Sequence, residues 1–262
     1  MTKVDENGLA QKKIAIVTGA GNGIGRQIAM TLLEAGWDLA ITDIDTSALS
    51  QFADKRLAEK HVLPFTQDVA DVSAAKALHY AILERFETPA TLLVNNAGVQ
   101  TWSRLLDLDI EEWERTIRTN LTGCFVQTQA FARALVGSDL DASIINIGSG
   151  CNRLAFPQLV DYTASKGGIE MFTKSAALEL GEMGIRVNCI APGAILNERT
   201  LAETEDYSSK WSALTPLGRV GNEADIANAI LLLADSRAQF ISGQTIAVDG
   251  GLFSRAVWPE QY

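Results

Sequence analysis

The fold of this 262-residue chain is decided by the stretch IAIVTGAGNGIG, which runs from Ile14 to Gly25. Its first five residues are mostly β-branched and apolar, which predicts a buried strand. Four glycines follow at the start of a helical pattern, more than a tight turn alone requires. Glycines at a strand-to-helix turn let backbone N–H groups approach a pyrophosphate at the positive end of the helix. We therefore predict that a dinucleotide is bound by Gly19, Asn22, Gly23, Ile24 and Gly25.

Short apolar runs alternate with helical patterns along the rest of the chain. This alternation predicts an α/β fold, a Rossmann-like doubly wound parallel sheet of about seven strands flanked by helices. One domain is expected over residues 1–262, with a flexible tail at 1–12 and an aromatic tail at 252–262 that contains Trp258, Pro259 and Tyr262. The predicted strands are Ile14–Thr18, Asp38–Thr42, Val62–Thr66, Leu92–Asn95, Ser143–Ile147, Arg186–Ile190 and Thr245–Val248.

A carboxylate, Asp43, ends the second predicted strand. At about 20 residues beyond a dinucleotide loop, a carboxylate accepts hydrogen bonds from the ribose hydroxyls of the cofactor. It would repel a 2′-phosphate, and neither Ile44 nor Asp45 supplies a positive charge. The sequence thus favours NAD over NADP. A turn residue at the end of the strand is the other interpretation of Asp43, and its position after the loop makes that interpretation the weaker one.

Composition limits the partners. A formal charge of −10 argues against a nucleic-acid or anionic-membrane surface. The residues from Met1 to Lys13 lack an apolar signal segment, and no run of about 18 apolar residues is present. The three cysteines are not closely spaced, which fits a reducing cytoplasm, and the two histidines have no companions at metal-ligand spacing. We expect a cytoplasmic protein with no metal.

Tyr162 and Lys166 lie four residues apart at the start of a predicted helix. Residues at this spacing share a helical face. An ammonium beside a phenol favours the ionised form, so the pair could act as a general acid and base near neutral pH. Such pairs are common on helix surfaces, and the interpretation depends on the motifs that accompany this one.

These motifs appear in a defined order over nearly the whole chain, and together they resemble those of the short-chain dehydrogenase/reductase family, in its subgroup of roughly 250-residue enzymes. The resemblance implies a hydride transfer between a nicotinamide and a hydroxyl or carbonyl carbon. The motifs are the Thr18–Gly25 loop, Asp68-Val69, Asn95-Asn96-Ala97-Gly98, Asn120, Ser149, Tyr162 with Lys166, and Pro192-Gly193.

The resemblance also assigns roles. It implies a catalytic set of Asn120, Ser149, Tyr162 and Lys166, and a homotetramer. The family usually has serine before the catalytic serine, whereas this chain has Gly148. Beyond the loop residues and Asp43, the residues implied to bind the cofactor are Asp68, Val69, Asn95, Ala97, Gly98, Tyr162, Lys166, Pro192, Gly193 and Ile195.

The substrate is less well determined. The loops expected to line its pocket are polar, which favours a sugar, sugar acid or polyol bound by Ser149, Cys151, Arg153 and Tyr162. Arg153 could meet an anionic group, or it could be a solvated loop residue. A 3-oxoacyl carrier-protein reductase or another ketone reductase is the alternative enzyme. A non-catalytic NAD-binding regulator is the alternative of another class.

Overall fold

A seven-stranded parallel sheet forms the centre of the computed structural model, which describes residues 12–56, 61–203 and 206–254. A separate pair of two-residue strands lies beside the main sheet. The strands are β1 Ile14–Thr18, β2 Asp38–Asp43, β3 Val62–Thr66, β4 Leu92–Asn95, β5 Ala142–Ile147, β6 Ile185–Pro192, β7 Ile195–Leu196, β8 Gly221–Asn222 and β9 Thr245–Val248.

The main sheet has the strand order β3-β2-β1-β4-β5-β6-β9, so the predicted doubly wound α/β fold is confirmed. Four of the seven predicted strands have the predicted bounds. The other three are one to three residues longer, and β6 grows most because Ala191 and Pro192 still pair with β9. The residue pattern of the strand itself cannot predict this extension, since the extension depends on pairing with β9, which lies far along the chain.

Helices cover both faces of the sheet. They are α1 Gly23–Glu34, α2 Thr46–Arg56, α3 Val72–Phe86, α4 Ile110–Ile117, α5 Gly123–Ala134, α6 Val160–Leu180, α7 Glu198–Glu203, α8 Tyr207–Leu214 and α9 Glu223–Ala234. None of the helices within the described ranges is long and apolar enough to cross a bilayer.

Two apolar cores lie on opposite faces of the sheet. On one face, Ile28 of α1 and Ile226 of α9 pack against strand residues such as Val17 and Val94. On the other face, residues of α3, α5 and α6 pack against residues such as Ile16. Strands buried on both faces explain why the predicted runs are continuously apolar instead of alternating.

Both histidines serve structural roles within this framework. His61 pairs with Asp38 at 2.6 Å. His79 lies between α3 and α5 against the ring of Phe131, and burial lowers its pKa to about 4, so it is neutral at physiological pH. In the part of the chain that the structure describes, no group of three or more His, Cys, Asp or Glu side chains forms a candidate metal site.

The predicted tails lie largely outside the described residues. Of the N-terminal segment 1–12, only Lys12 is described, and of the segment 252–262, only Leu252 to Ser254. Trp258, Pro259 and Tyr262 fall outside this range. The three described C-terminal residues form a short helical turn that follows β9.

Candidate active site

The glycine loop between β1 and α1 is closely packed against its surroundings. Gly19 has a φ of +63°, which favours glycine, and a Cβ there would lie 2.8 Å from the Cα of Ala97. A Cβ on Gly25 would lie 2.1 Å from the carbonyl oxygen of Gly19. Two of the predicted loop glycines are therefore required by contacts within the loop and with the residues after β4.

A set of hydrogen bonds from the end of β4 holds this loop in place. The Asn96 side-chain amide donates to the carbonyl oxygens of Thr18 and Gly19, at 3.0 Å each. The Thr18 hydroxyl oxygen accepts from the backbone N–H groups of Asn96 and Ala97, also at 3.0 Å. Two neighbouring strands thus fix the loop at the carboxyl edge of the sheet, the edge at which doubly wound folds bind ligands.

The N-terminus of α1 is suited to hold phosphate. Among the described residues, the Asn22 side chain makes no capping hydrogen bond to this helix, and the first turn of the helix contains no acidic residue. The first N–H groups of a helix lack partners within the helix and carry the positive end of its dipole. Asn22, Gly23, Ile24 and Gly25 all line the adjoining cavity. The residues present therefore fit the pyrophosphate of a dinucleotide.

Two carboxylates line the adjacent end of the cavity. Asp43 accepts hydrogen bonds from the N–H of Gly21, at 2.9 Å, and of Asp45, at 3.1 Å. Asp68 forms an ion pair with Arg118. Burial alone would raise the pKa of Asp68, but the hydrogen bonds from Arg118 and from the N–H of Ala70, together with the charge of Arg118, outweigh it and hold that pKa below its ordinary value. Both groups are therefore fixed by neighbours, and Asp68 is neutralised by its partner.

The structure separates the predicted Asn95 from the cavity. Its side-chain amide is buried and donates to Thr128, at 3.1 Å, and to Asn146, at 2.9 Å. The neighbouring Asn96, to which no role was assigned from the sequence, carries the contacts with the loop. Successive side chains along a strand point to opposite faces. Asn96 therefore faces the glycine loop, while Asn95 points away from it. Val69, in contrast, lines the cavity as expected.

The segment after β6 forms another wall of the cavity, as the sequence predicts for Pro192, Gly193 and Ile195. Gly193 donates from its N–H to the carbonyl oxygen of Val248 at 3.0 Å. A Cβ at Gly193 would lie 2.6 Å from the Cβ of Asp249, so the glycine allows this wall to pack against the turn after β9.

Tyr162 and Lys166 lie together at the start of α6, and both line the cavity. The Lys166 ammonium lies 5.4 Å from the centre of the Tyr162 ring. It donates to the carbonyl oxygen of Ile147 at 2.7 Å, and the residue is only 4% exposed. The last residue of β5 therefore fixes the position of a buried positive charge beside the phenol.

Ser149 lines the same cavity two residues after β5. Its Oγ accepts from the N–H of Cys151 at 3.2 Å, in a short helical turn over Gly150–Asn152. A hydroxyl oxygen that accepts this bond keeps its own hydrogen to donate elsewhere. The arrangement thus presents a phenol and a hydroxyl to the same space, as proton transfer at a hydroxyl or carbonyl oxygen requires.

Asn120 lies behind this pair, in a π-helical turn over Arg118–Thr122 that joins α4 to α5. Its amide donates to the carbonyl oxygen of Val99 at 2.9 Å and to the Ser165 hydroxyl at 3.0 Å. Ser165 in turn donates to the carbonyl oxygen of Tyr162 at 2.7 Å. Asn120 therefore connects the start of α6 with the loop after β4 without lining the cavity itself.

One cavity of about 1260 Å³ unites these elements. Single ligand sites typically measure about 300–1,000 Å³, so this volume has room for a dinucleotide together with a small substrate. Of the predicted residues, the cavity is lined by Gly19, Asn22, Gly23, Ile24, Gly25, Asp43, Asp68, Val69, Ala97, Gly98, Ser149, Cys151, Tyr162, Lys166, Pro192, Gly193 and Ile195.

The two additional substrate candidates differ in position. Cys151 lines the cavity, and burial raises the pKa of its thiol, which disfavours the reactive thiolate. Arg153 is outside the cavity lining, and its guanidinium bonds both carboxylate oxygens of Glu170, at 3.0 and 3.2 Å. The partner of the Arg153 guanidinium in the structure is therefore the carboxylate of Glu170.

Several residues that line the cavity were not predicted from the sequence. Phe156 and Phe253 meet edge to face at 5.9 Å between ring centres, and both line the cavity. Arg115 and Arg118 line it as well. A Cβ placed on Gly150 would lie 2.2 Å from the ring of Phe253. The two residues are about 100 positions apart in the chain, and no local pattern indicates such a contact.

Comparisons with known proteins agree with this geometry. A family model described as enoyl-(acyl carrier protein) reductase matches residues 19–253. A (3R)-3-hydroxyacyl-CoA dehydrogenase of Rattus norvegicus is 37% identical, over 92% of this chain and 96% of the relative. A 3-oxoacyl-[acyl-carrier-protein] reductase of Staphylococcus aureus is 35% identical, over 92% and 98%. The solved gluconate 5-dehydrogenase of Burkholderia cenocepacia, in complex with NADP and tartrate, is 33% identical with a TM-score of 0.84, over 93% and 96%.

The chain belongs to the short-chain dehydrogenase/reductase family, and the predicted resemblance is confirmed. It is an oxidoreductase that acts on a hydroxyl or carbonyl group of a small molecule with a nicotinamide cofactor. One of these relatives is complexed with NADP, so membership of the family leaves the choice between NAD and NADP open.

Replacing the phenol tests the assignment of the acid/base. We expect Tyr162→Phe to reduce kcat by at least about a hundredfold, because the ring remains while the proton-carrying oxygen is lost. Cofactor affinity, measured by quenching of protein fluorescence, should change little.

Tyr80→Phe is the matched control, since Tyr80 is an exposed tyrosine on α3 outside the cavity lining. It should retain full turnover. Turnover of Tyr162→Phe within a few-fold of the unmodified protein would contradict the role of the phenol.

Proposed function

We propose that this protein is an NAD-dependent dehydrogenase that oxidises a hydroxyl group of a sugar, sugar acid or polyol, or reduces the corresponding carbonyl. The observation that carries the proposal is the common cavity, which places Tyr162, Ser149 and Lys166 at one end and Asp43 at the cofactor-binding edge. Hydride-accepting chemistry is supplied by the nicotinamide when it is bound.

The protein's own contribution is proton transfer and charge stabilisation. In the oxidation direction, Tyr162 removes the proton from the substrate hydroxyl, and in reduction it returns a proton to the oxygen. Ser149 donates a hydrogen bond to the same oxygen and stabilises the charge that develops on it. Lys166, held by the carbonyl oxygen of Ile147, lies with its side-chain nitrogen 5.4 Å from the centre of the phenol ring.

The preference for NAD is supported by the charges around Asp43. Its two carboxylate oxygens are oriented by the N–H groups of Gly21 and Asp45, and the residue lines the cavity. A carboxylate at this position accepts ribose hydroxyls and opposes a phosphate. The adjacent Ile44 is uncharged and 73% exposed, and the nearby Arg118 is already paired with Asp68.

A hydroxylated substrate is supported by the composition of the cavity next to Ser149 and Tyr162. Aromatic rings there can contact the C–H faces of a sugar, while polar side chains can bond its hydroxyl groups. These lining residues are Gln100, Trp102, Phe156, Asn197, Tyr207, Trp211 and Phe253. An anionic group on the substrate would have to find a partner other than Arg153, which is bonded to Glu170.

A 3-hydroxyacyl or 3-oxoacyl thioester is the second candidate substrate class. Two of the sequence relatives bear names of this type. The segment after the cavity-lining Trp102 also exposes apolar side chains, with Leu105 at 69% and Leu106 at 94%, which a fatty chain could contact. The preference for a sugar rests on the polar side chains among the residues that line the cavity.

A homotetramer is the proposed assembly. The outer faces of α5 and α6 expose Phe125, Met171 and Leu178, the last at 83%. Exposed apolar side chains clustered on neighbouring helices are typical of subunit interfaces.

Neutralising Asp43 tests the cofactor preference. Asp43→Asn keeps the size of the side chain but removes its charge, so the ratio of kcat/KM for NAD to that for NADP should fall about tenfold or more. Asp45→Asn, at an exposed neighbouring carboxylate that caps α2, should leave the ratio unchanged. A preference for NADP in the unmodified protein would overturn the proposal of NAD.

A substrate panel tests the reaction itself. NADH formation, followed by its near-ultraviolet absorbance, should occur with at least one member of a panel of sugars, sugar acids and polyols. A matched panel of 3-hydroxyacyl thioesters and their oxidised forms should be inactive. Turnover confined to the thioesters would replace the proposed substrate class with the second candidate.

Light scattering coupled to size-exclusion chromatography tests the assembly. The unmodified protein should elute with the mass of four chains of 28.2 kDa. Leu178→Glu should shift it to smaller species, because a charge would be buried at the interface. A monomer at micromolar concentration would contradict the tetramer.

A further inference from the structure

The side chain of Asn152 occupies the space into which a side chain at Gly148 would project. A Cβ placed on Gly148 would lie 2.5 Å from Nδ2 and 2.7 Å from Oδ1 of Asn152, and 2.7 Å from Sγ of Cys189. Real Cβ atoms do not come this close to other atoms. Gly148 is therefore required by the presence of Asn152, and the departure from the usual serine at this position has a physical cause.

The Asn152 amide uses both of its ends. Its Oδ1 accepts from the backbone N–H of Ser149 at 3.0 Å, and its Nδ2 donates to Sγ of Cys189 at 3.5 Å. Cys189 lies on β6, in register with Asn146 of β5. Gly148, the first residue after β5, still donates its N–H to Ile190 of β6. The Asn152 amide connects the next residue, Ser149, with the same neighbouring strand through Cys189.

This connection determines the conformation of the turn that carries Ser149. The turn is closed by two reciprocal bonds: the Ser149 hydroxyl accepts from the N–H of Cys151, and the Asn152 side chain accepts from the N–H of Ser149. The first bond orients the oxygen that faces the cavity, and the second fixes the backbone from which that oxygen projects. Loss of the second bond would leave the N–H of Ser149 unpaired in a half-buried site.

We infer that Asn152 is a positioning residue for Ser149, and that it occupies the space that a side chain at position 148 would otherwise fill. The inference rests on the proposed role of Ser149 in stabilising charge on the substrate oxygen. Since Asn152 is outside the cavity lining, it acts through Ser149 and contacts neither substrate nor cofactor.

Kinetics test the positioning role. Asn152→Ala should lower kcat about tenfold, the equivalent of one hydrogen bond, with the dissociation constant of NADH unchanged. The substrate is whichever member of the panel is turned over. Asn188→Ala is the matched control, because Asn188 is a buried asparagine on the same strand as Cys189 that bonds Ile241 and Gln244. It should lose thermal stability but keep kcat.

A double-mutant cycle tests the shared space without relying on activity. The cycle runs in a Cys189→Ala background, which removes the sulfur that lies 2.7 Å from the Cβ position of residue 148 and leaves the two nearest atoms, both of the Asn152 amide. Gly148→Ala and Asn152→Ala should each lower the Tm, and the double variant should lose less than the sum of the two, because the added methyl group occupies the vacated space.

The outcomes separate the inference from the proposed function. Additive losses of Tm in the cycle, or unchanged kcat in Asn152→Ala, would overturn the role of Asn152. Ser149→Ala is measured in parallel. If Ser149→Ala loses turnover while Asn152→Ala does not, only the positioning role fails; if Ser149→Ala keeps full turnover, the proposed role of Ser149 fails and the positioning role with it.

Discussion

The hydrogen bond from the Lys166 ammonium to the carbonyl oxygen of Ile147 is the interaction on which the site depends. It measures 2.7 Å, and the lysine is almost completely buried. A buried charge is tolerated only where polar partners replace water, so this bond is obligatory for the fold as well as useful for chemistry. It joins the second turn of α6 to the end of β5, and thereby places Tyr162 and Ser149 at the same space.

The same principle operates at the other end of the cavity. The amide of Asn96 and the hydroxyl of Thr18 connect the ends of β4 and β1, and the glycine loop is fixed between them. Parallel strands end at one edge of the sheet, so polar side chains at those ends can satisfy each other's backbone groups. Order in the loop thus comes from the neighbouring strands, which also accept the N–H groups of Ala20 and Gly21 at Thr42 and Asp43. The first N–H groups of α1 have no partner within the helix and can bond a ligand.

Much of this arrangement could be predicted from the sequence, because the relevant information is local. The glycine loop, the pair Tyr162 and Lys166, and the alternation of strands and helices all depend on residues close together in the chain. Where the prediction failed or was silent, the cause was a distant partner. Arg153 is bound to Glu170, a helical residue buried against it, and the ring of Phe253 covers Gly150. Neither contact has a periodicity or spacing that a sequence pattern could reveal.

The contact between Phe253 and Gly150 also affects when the cavity becomes complete during synthesis of the chain. The backbone N–H of Phe253 is held by Asp249, whose Cβ would meet any side chain at Gly193. The wall of the cavity is thus completed by residues that follow β9, the last strand of the sheet. Contacts of such long sequence separation form late in folding. A chain still emerging from the ribosome would carry the glycine loop and the tyrosine helix well before it could enclose a substrate. The cavity is therefore complete only after the turn that contains Phe253 has been made and has packed against Gly150.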